Sequence, residues 1–185
     1  MCRAELFNQK AAADKSKPAE VLQALQITPG QRIADLGAGG GYFTLRFAEE
    51  TGAQGKVFAM DTEEKYLDFI KMQAAEKNLN NIEYIKLPEN EADLPNDFFD
   101  LIFIRNVYHH LKDRTKLMRK YGKKLKVNGR LAIIEYRHGG LFNFKHPLGH
   151  NVPKEKIVQE LTLAGLQKTE DYDFLPEQSF TVFTP

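Results

Sequence analysis

The chain has 185 residues, 42% hydrophobic and 28% charged, enough apolar material for a single globular domain with its own core. Its 26 basic and 25 acidic side chains leave a formal net charge of +1, which argues against a dedicated nucleic-acid surface. One cysteine, Cys2, excludes an internal disulfide framework, and no apolar run approaches the length of a membrane span. With a polar N-terminus lacking a signal-peptide core, the expectation is a soluble cytoplasmic protein.

Residues 1–17 scatter charges among Leu6, Phe7 and the alanines from Ala11 to Ala13, and read as a frayed or partly helical arm; residues 18–185 read as the single domain. From Pro18, the spacing of Val21, Leu22 and Leu25 predicts a short amphipathic helix, ended by Thr28, Pro29 and Gly30. Next, Ile33, Ala34 and Leu36 have the apolar character of a parallel strand covered on both faces. A glycine-rich turn over residues 37–41 follows, and Phe43, Phe47 and Ala48 then resume at helical spacing. The turn fails the dinucleotide pattern G-x-G-x-x-G, whose third glycine falls on Tyr42 or Thr44 according to register. No Lys-Ser/Thr pair follows to make a phosphate loop. What stands there is Asp35-x-Gly37-x-Gly39-x-Gly41. A carboxylate at the strand end would repel a pyrophosphate but suits a ligand bearing an ammonium group and hydroxyls.

This stretch resembles motif I of the class I S-adenosylmethionine (SAM)-dependent methyltransferases. The resemblance implies a Rossmann-like α/β fold: a seven-stranded, mostly parallel sheet of order 3-2-1-4-5-7-6, its last strand antiparallel, with helices on both faces. It implies SAM as cofactor and S-adenosylhomocysteine as product. The corresponding site residues here are Asp35, Gly37, Ala38, Gly39, Gly41, Tyr42 and Phe43.

Residues 56–60 predict a second strand ending at Asp61, close to the spacing of about 20 residues that sets an acid against a ribose. Asp61 is therefore assigned to the vicinal hydroxyls. The other reading of Asp61 is a helix cap, a job for which Thr62 is the better candidate. Residues 63–78 follow as a helix and 82–87 as a third strand. Beyond that strand the resembled family places an acceptor for the adenine amino group, and two ways of counting give Glu89 or Asn90. Residues 98–104 form a fourth, central strand. The segment after it carries Asn106, Tyr108, His109 and His110, and in open α/β sheets ligands sit outside such carboxyl ends. A helix over 112–126, a turn at Asn128 and Gly129 in which the asparagine tolerates a left-handed backbone, and a fifth strand over 130–136 complete the parallel part. Residues 137–152 are expected to form a lid, 153–165 a helix, and 166–174 and 179–183 the last strands.

Methyl transfer asks little of side chains beyond alignment and exclusion of water. Where the acceptor holds its proton at neutral pH, His109 or His110 is the candidate base, with Tyr108 beside them. One of the two adjacent histidines is expected to point away. No metal site is expected, because Pro147 and Gly149 preclude a helix joining His146 to His150. The segment lacks Asn-Pro-Pro-Tyr and Pro-Cys, the marks that the resemblance associates with DNA methylation, so no nucleic-acid partner is expected. The leading reading is methyl transfer to a small aromatic or otherwise apolar molecule, which Phe142 and Phe144 in the lid also suit. The alternative is a SAM- or S-adenosylhomocysteine-binding module without methyl transfer. Aminopropyl transfer is disfavoured, since residues 105–111 contain no acid to hold a polyamine.

Overall fold

The computed structural model describes residues 1–88, 94–137 and 152–185. Helices α1 (Arg3–Ala12) and α2 (Pro18–Leu25) lead into β1 (Arg32–Leu36), α3 (Tyr42–Thr51), β2 (Lys56–Asp61), α4 (Glu64–Glu76) and β3 (Ile82–Lys86). Then come β4 (Phe99–Arg105), α5 (Arg114–Gly122), β5 (Leu125–Tyr136), α6 (Lys154–Leu163), β6 (Gln167–Tyr172) and β7 (Gln178–Thr184). The seven strands make one sheet in the order β3-β2-β1-β4-β5-β7-β6. Strands β1 to β5 pair in parallel, while β7 runs antiparallel to both β5 and β6. This is the Rossmann-like arrangement that motif I implies.

The central strand explains the three layers. Leu101, Ile102, Phe103 and Ile104 are all fully buried, and alternate residues point to opposite faces. Leu101 and Phe103 pack with Val21, Leu25, Phe43 and Phe47 under α2 and α3. Ile102 and Ile104 pack with Met118, Tyr121, Ile157 and Leu161 under α5 and α6. Phe103 lies 5.0 Å from Phe43 and 5.2 Å from Phe47, centroid to centroid, which ties α3 to the middle of the sheet. Each such ring contributes roughly 1.5–3 kcal/mol by burial. Edge strand β6 instead exposes Lys168 and other polar side chains to water, a pattern that discourages pairing with another chain.

Two sequence expectations change here. Helix α5 ends at Gly122 rather than reaching residue 126, because Leu125 pairs with Phe99 and begins β5. Asn128 and Gly129 do not close a turn between a helix and a strand; they bulge within β5, where the pairing jumps from Leu125 opposite Phe99 to Arg130 opposite Leu101. Asn128 keeps a negative φ, and the left-handed asparagines among the described residues are Asn78 and Asn106. Of the two readings of the N-terminal arm, frayed or partly helical, the second describes residues 3–12, a regular helix with Ala4 and Ala11 buried against the body.

Candidate cofactor and acceptor site

At the carboxyl ends of β1, β2 and β4 the chain opens a cleft of about 840 Å³, a size ordinary for a small-molecule site. Its floor is the glycine turn. Gly37 has φ +80°, and a Cβ there would sit 2.4 Å from a methyl of Val107, so the left-handed turn and the close approach of the segment after β4 both require glycine. A Cβ on Gly40 would lie 2.2 Å from the Ala4 carbonyl oxygen, because α1 rests directly on the turn. Gly41 serves a different purpose: it is the residue before α3, packed over Ile70, and does not line the cleft.

The first backbone N–H groups of α3 have no intrahelical partner. Asn8 supplies one from α1: its Oδ1 accepts from the Tyr42 N–H at 3.1 Å, while its Nδ2 donates to Gln73 Oε1 at 3.1 Å. Phe7, edge-on to Tyr66 at 5.5 Å, covers Gly39. The N-terminal helix thus roofs the turn, and Arg3, Phe7, Asn8, Lys10 and Ala11 line the cleft.

Two carboxylates stand at the strand ends. Asp35 is 4% exposed and accepts from the Thr44 hydroxyl at 2.6 Å. Burial pushes its carboxyl up from 3.8 to about 6, with the Thr44 hydrogen bond opposing the rise and nearby Asp61 adding to it. Asp61 accepts the Gly39 N–H on Oδ2 at 2.9 Å and the Glu63 N–H on Oδ1 at 3.1 Å. Asp61, not Thr62, therefore supports the start of α4, because a two-oxygen carboxylate can bridge the turn and the helix together; Thr62 lines the cleft beside it. Arg105, at the end of β4, donates to Ser16 Oγ at 3.0 Å and lies 5.5 Å from the Phe43 ring. Burial lowers the Arg105 guanidinium from its ordinary value, against the raising influence of Tyr136, Asp35 and Glu135. Acidic groups for an ammonium and ribose hydroxyls, cations for a carboxylate, and the apolar faces of Phe7, Tyr66 and Leu87 for a flat heterocycle together fit SAM.

Asn106 turns the chain out of β4 with φ +54°, its N–H held by the Ile134 carbonyl and its Oδ1 accepting from Gln178 Nε2 at 2.7 Å. A single 3-10 turn, Tyr108–His110, follows. Tyr108 faces inward. It is fully buried, does not line the cleft, and donates its hydroxyl to Glu160 at 2.7 Å, where Arg114 also binds through two nitrogens. Burial, then the Glu160 carboxylate, pushes the Tyr108 phenol far above its ordinary range, so it keeps its proton and is no base. Both histidines line the cleft, with ring centroids 3.9 Å apart, contrary to the expectation that one points away.

Residues 89–93 and 138–151 lie outside the described residues, so the adenine candidates Glu89 and Asn90, the lid with Phe142 and Phe144, and His146 and His150 are not placed. Sequence reasoning missed Phe7, Asn8, Arg105 and Glu135. Glu135 had a signal: a lone acid at the carboxyl end of the apolar run Leu131 to Ile134. It is fully buried, and its carboxylate accepts the His109 N–H at 3.3 Å and the Tyr136 N–H at 3.1 Å. His109 Nδ1 lies 3.0 Å from Glu135 Oε1, at ion-pair distance with the N–H direction short of hydrogen-bond alignment.

Residues 27–176 match a family described as a methyltransferase domain. The ubiquinone/menaquinone biosynthesis C-methyltransferase UbiE of Vibrio campbellii is 32% identical over 109 residues, 58% of this chain and 42% of that one. UbiE of Yersinia enterocolitica is 30% identical over 154 residues, 82% of this chain and 60% of that one. The chain thus spans about half the length of the curated relatives it matches. Among solved structures, a SAM-dependent methyltransferase from Aquifex aeolicus superposes with a TM-score of 0.87 at 21% identity, covering 97% of this chain and 95% of that one. Another from Mesorhizobium loti gives 0.74 at 18% identity, covering 92% and 98%. With the family match running from before β1 into the loop before β7, and the glycine turn, Asp61 and the strand order in place, the chain belongs to the methyltransferase domain family and has the fold of the class I SAM-dependent methyltransferases.

Proposed function

We propose that the chain methylates a small, ring-containing acceptor of the phenol or hydroquinone class, bound at the His109 end of the cleft. The observation that carries this reading is the continuity of one cleft. It runs from the glycine turn and Asp61 to Val107, His109, His110 and Leu111, so a cofactor seated over the turn would present its reactive end to the histidines. When bound, SAM supplies an electrophilic methyl group on a sulfonium. The protein's part is then to hold the acceptor in line, exclude water and take a proton where the acceptor keeps one. Asp61 and Asp35 serve the hydroxyl and ammonium ends of the cofactor, and α1 closes the site from above. His109 serves as the base. The ring class is supported by the curated relatives, whose name describes C-methylation in ubiquinone and menaquinone biosynthesis.

Two measurements test the reading in sequence. Calorimetric titration should give saturable binding of SAM and of S-adenosylhomocysteine; without it the cofactor assignment to this cleft fails. Incubation with methyl-tritiated SAM and a panel of phenols, hydroquinones, amines and carboxylic acids should then label the first two groups. Labelling of amines alone would overturn the acceptor class, and binding without any transfer would favour the binding-module alternative.

A further inference from the structure

We propose that Glu135 is a positioning residue that fixes the tautomer of His109, and that the acceptor site is consequently built to remove a proton from an O–H or acidic C–H acceptor. This inference rests on the acceptor reading above and deepens it. Glu135 is fully buried, on the strand next to β4 in the sheet, at the carboxyl end where the cleft opens. A buried carboxylate is costly unless its oxygens are engaged. Here every partner serves one small region. Oε2 takes the His109 N–H, Oε1 takes the Tyr136 N–H, and Oε1 also lies 3.0 Å from His109 Nδ1. The carboxylate therefore bonds the His109 backbone and stands beside its ring.

An imidazole held this way carries its proton on Nδ1, because a carboxylate oxygen accepts but does not donate. Nε2, on the opposite edge of the ring, is then the basic nitrogen. Contacts of this kind commonly sit out of line until substrate binds, which accounts for the present misalignment of the Nδ1–H direction. The fold reinforces the placement from the other side. Tyr108, the preceding residue, anchors the 3-10 turn inward through Glu160, whose carboxylate is itself clamped by Arg114.

The proton balance follows. The acceptor's O–H or C–H bond breaks toward Nε2, the acceptor atom forms its new bond to the methyl carbon, and the electron pair of the old carbon–sulfur bond stays on sulfur. The imidazolium, stabilised by the Glu135 carboxylate, later returns the proton to solvent. An amine acceptor that is already unprotonated would gain little from this pair.

The first test needs no acceptor. Long-range proton–nitrogen NMR on the ¹⁵N-labelled full chain, with His109 assigned by comparison with His109→Gln, should show the neutral ring as the Nδ1–H tautomer. An Nε2–H tautomer would overturn the proposal. In Glu135→Gln, matched to the parent for melting temperature and S-adenosylhomocysteine affinity, the preference should give way to a mixture; an unchanged tautomer would overturn the positioning role. The second test is kinetic, on the phenol or hydroquinone labelled in the panel. His109→Gln should lower kcat by about 100-fold, and Glu135→Gln should lower kcat with the acceptor KM held. The loss should shrink for a ring-substituted phenol already ionised at the assay pH. Equal losses on ionised and un-ionised phenols would assign Glu135 a merely structural part. Failure to find any acceptor would strike the acceptor reading while leaving the tautomer result to stand on its own.

Discussion

Replacing Asp35 by asparagine should make the protein more stable at neutral pH while weakening its hold on SAM. The carboxyl is buried beneath α3, and burial raises it from 3.8 to about 6. At about 1.4 kcal/mol per tenfold change in proton affinity, that rise corresponds to ~3 kcal/mol. The sign is fixed by linkage: between pH 4 and 6 the folded protein holds a proton on Asp35 that the unfolded chain has released, so stability falls as pH rises through this window and stays lower above it. Asparagine cannot ionise, and its Oδ1 can still accept from Thr44. Urea denaturation of parent and Asp35→Asn at matched pH, from 4 to 7.5, isolates the group, because every other titration cancels in the difference. The variant's relative stability should climb by ~3 kcal/mol across the window, or about 6–12 °C in melting temperature for a chain of this length. Affinity for S-adenosylhomocysteine should fall, since the negative charge proposed to face its ammonium is gone. A difference flat in pH, or a parent that gains on the variant as pH rises, would refute the argument that burial dominates at Asp35.

Other expectations follow from the same geometry. Asp61→Ala should weaken SAM binding at least about tenfold, since charge-assisted bonds are worth roughly 1.5–3 kcal/mol each; Asp61→Asn, which keeps one acceptor oxygen, should fall between it and the parent in a calorimetric titration. Gly40→Ala should dislodge α1, because the new methyl would meet the Ala4 carbonyl oxygen and Asn8; hydrogen exchange over residues 3–12 should rise, and unchanged protection there would contradict the roof role of α1. Tyr108→Phe should cost about 1.5–3 kcal/mol in denaturant unfolding through the lost bond to Glu160, with SAM affinity unchanged. A loss of SAM affinity without loss of stability would return Tyr108 to the cleft.

Much of the frame was legible in residue order alone. The unbroken apolar character of residues 101–104 marked a strand covered on both faces, and the alternation of such strands with helical spacing, read beside Asp35 and the glycine turn, pointed to one fold and one cofactor class. These signals are local: periodicity, a carboxylate at a strand end, and glycines where φ must be positive lie within a few residues of one another. Even there, local reasoning erred where two elements compete for the same residues. Leu125 fits a helix by spacing and a strand by pairing, and its partner Phe99 decided the matter.

What only the tertiary structure decided is which side chains from distant parts of the chain meet. Nothing near Asn8 in sequence says that it will cap a helix beginning at Tyr42, and nothing near Glu135 says that it will grip His109, 26 residues earlier. Tyr108 and His109 are adjacent in the same short turn, yet one is buried against Glu160 and the other faces the cleft. The motif fixed the glycine turn and the acids at the strand ends, because backbone conformation and strand termini are set locally. The meeting of His109 with Glu135 and the seating of α1 over the glycine turn depend on the packing of β5 beside β4 and of α1 on α3, and that packing is determined by the whole core.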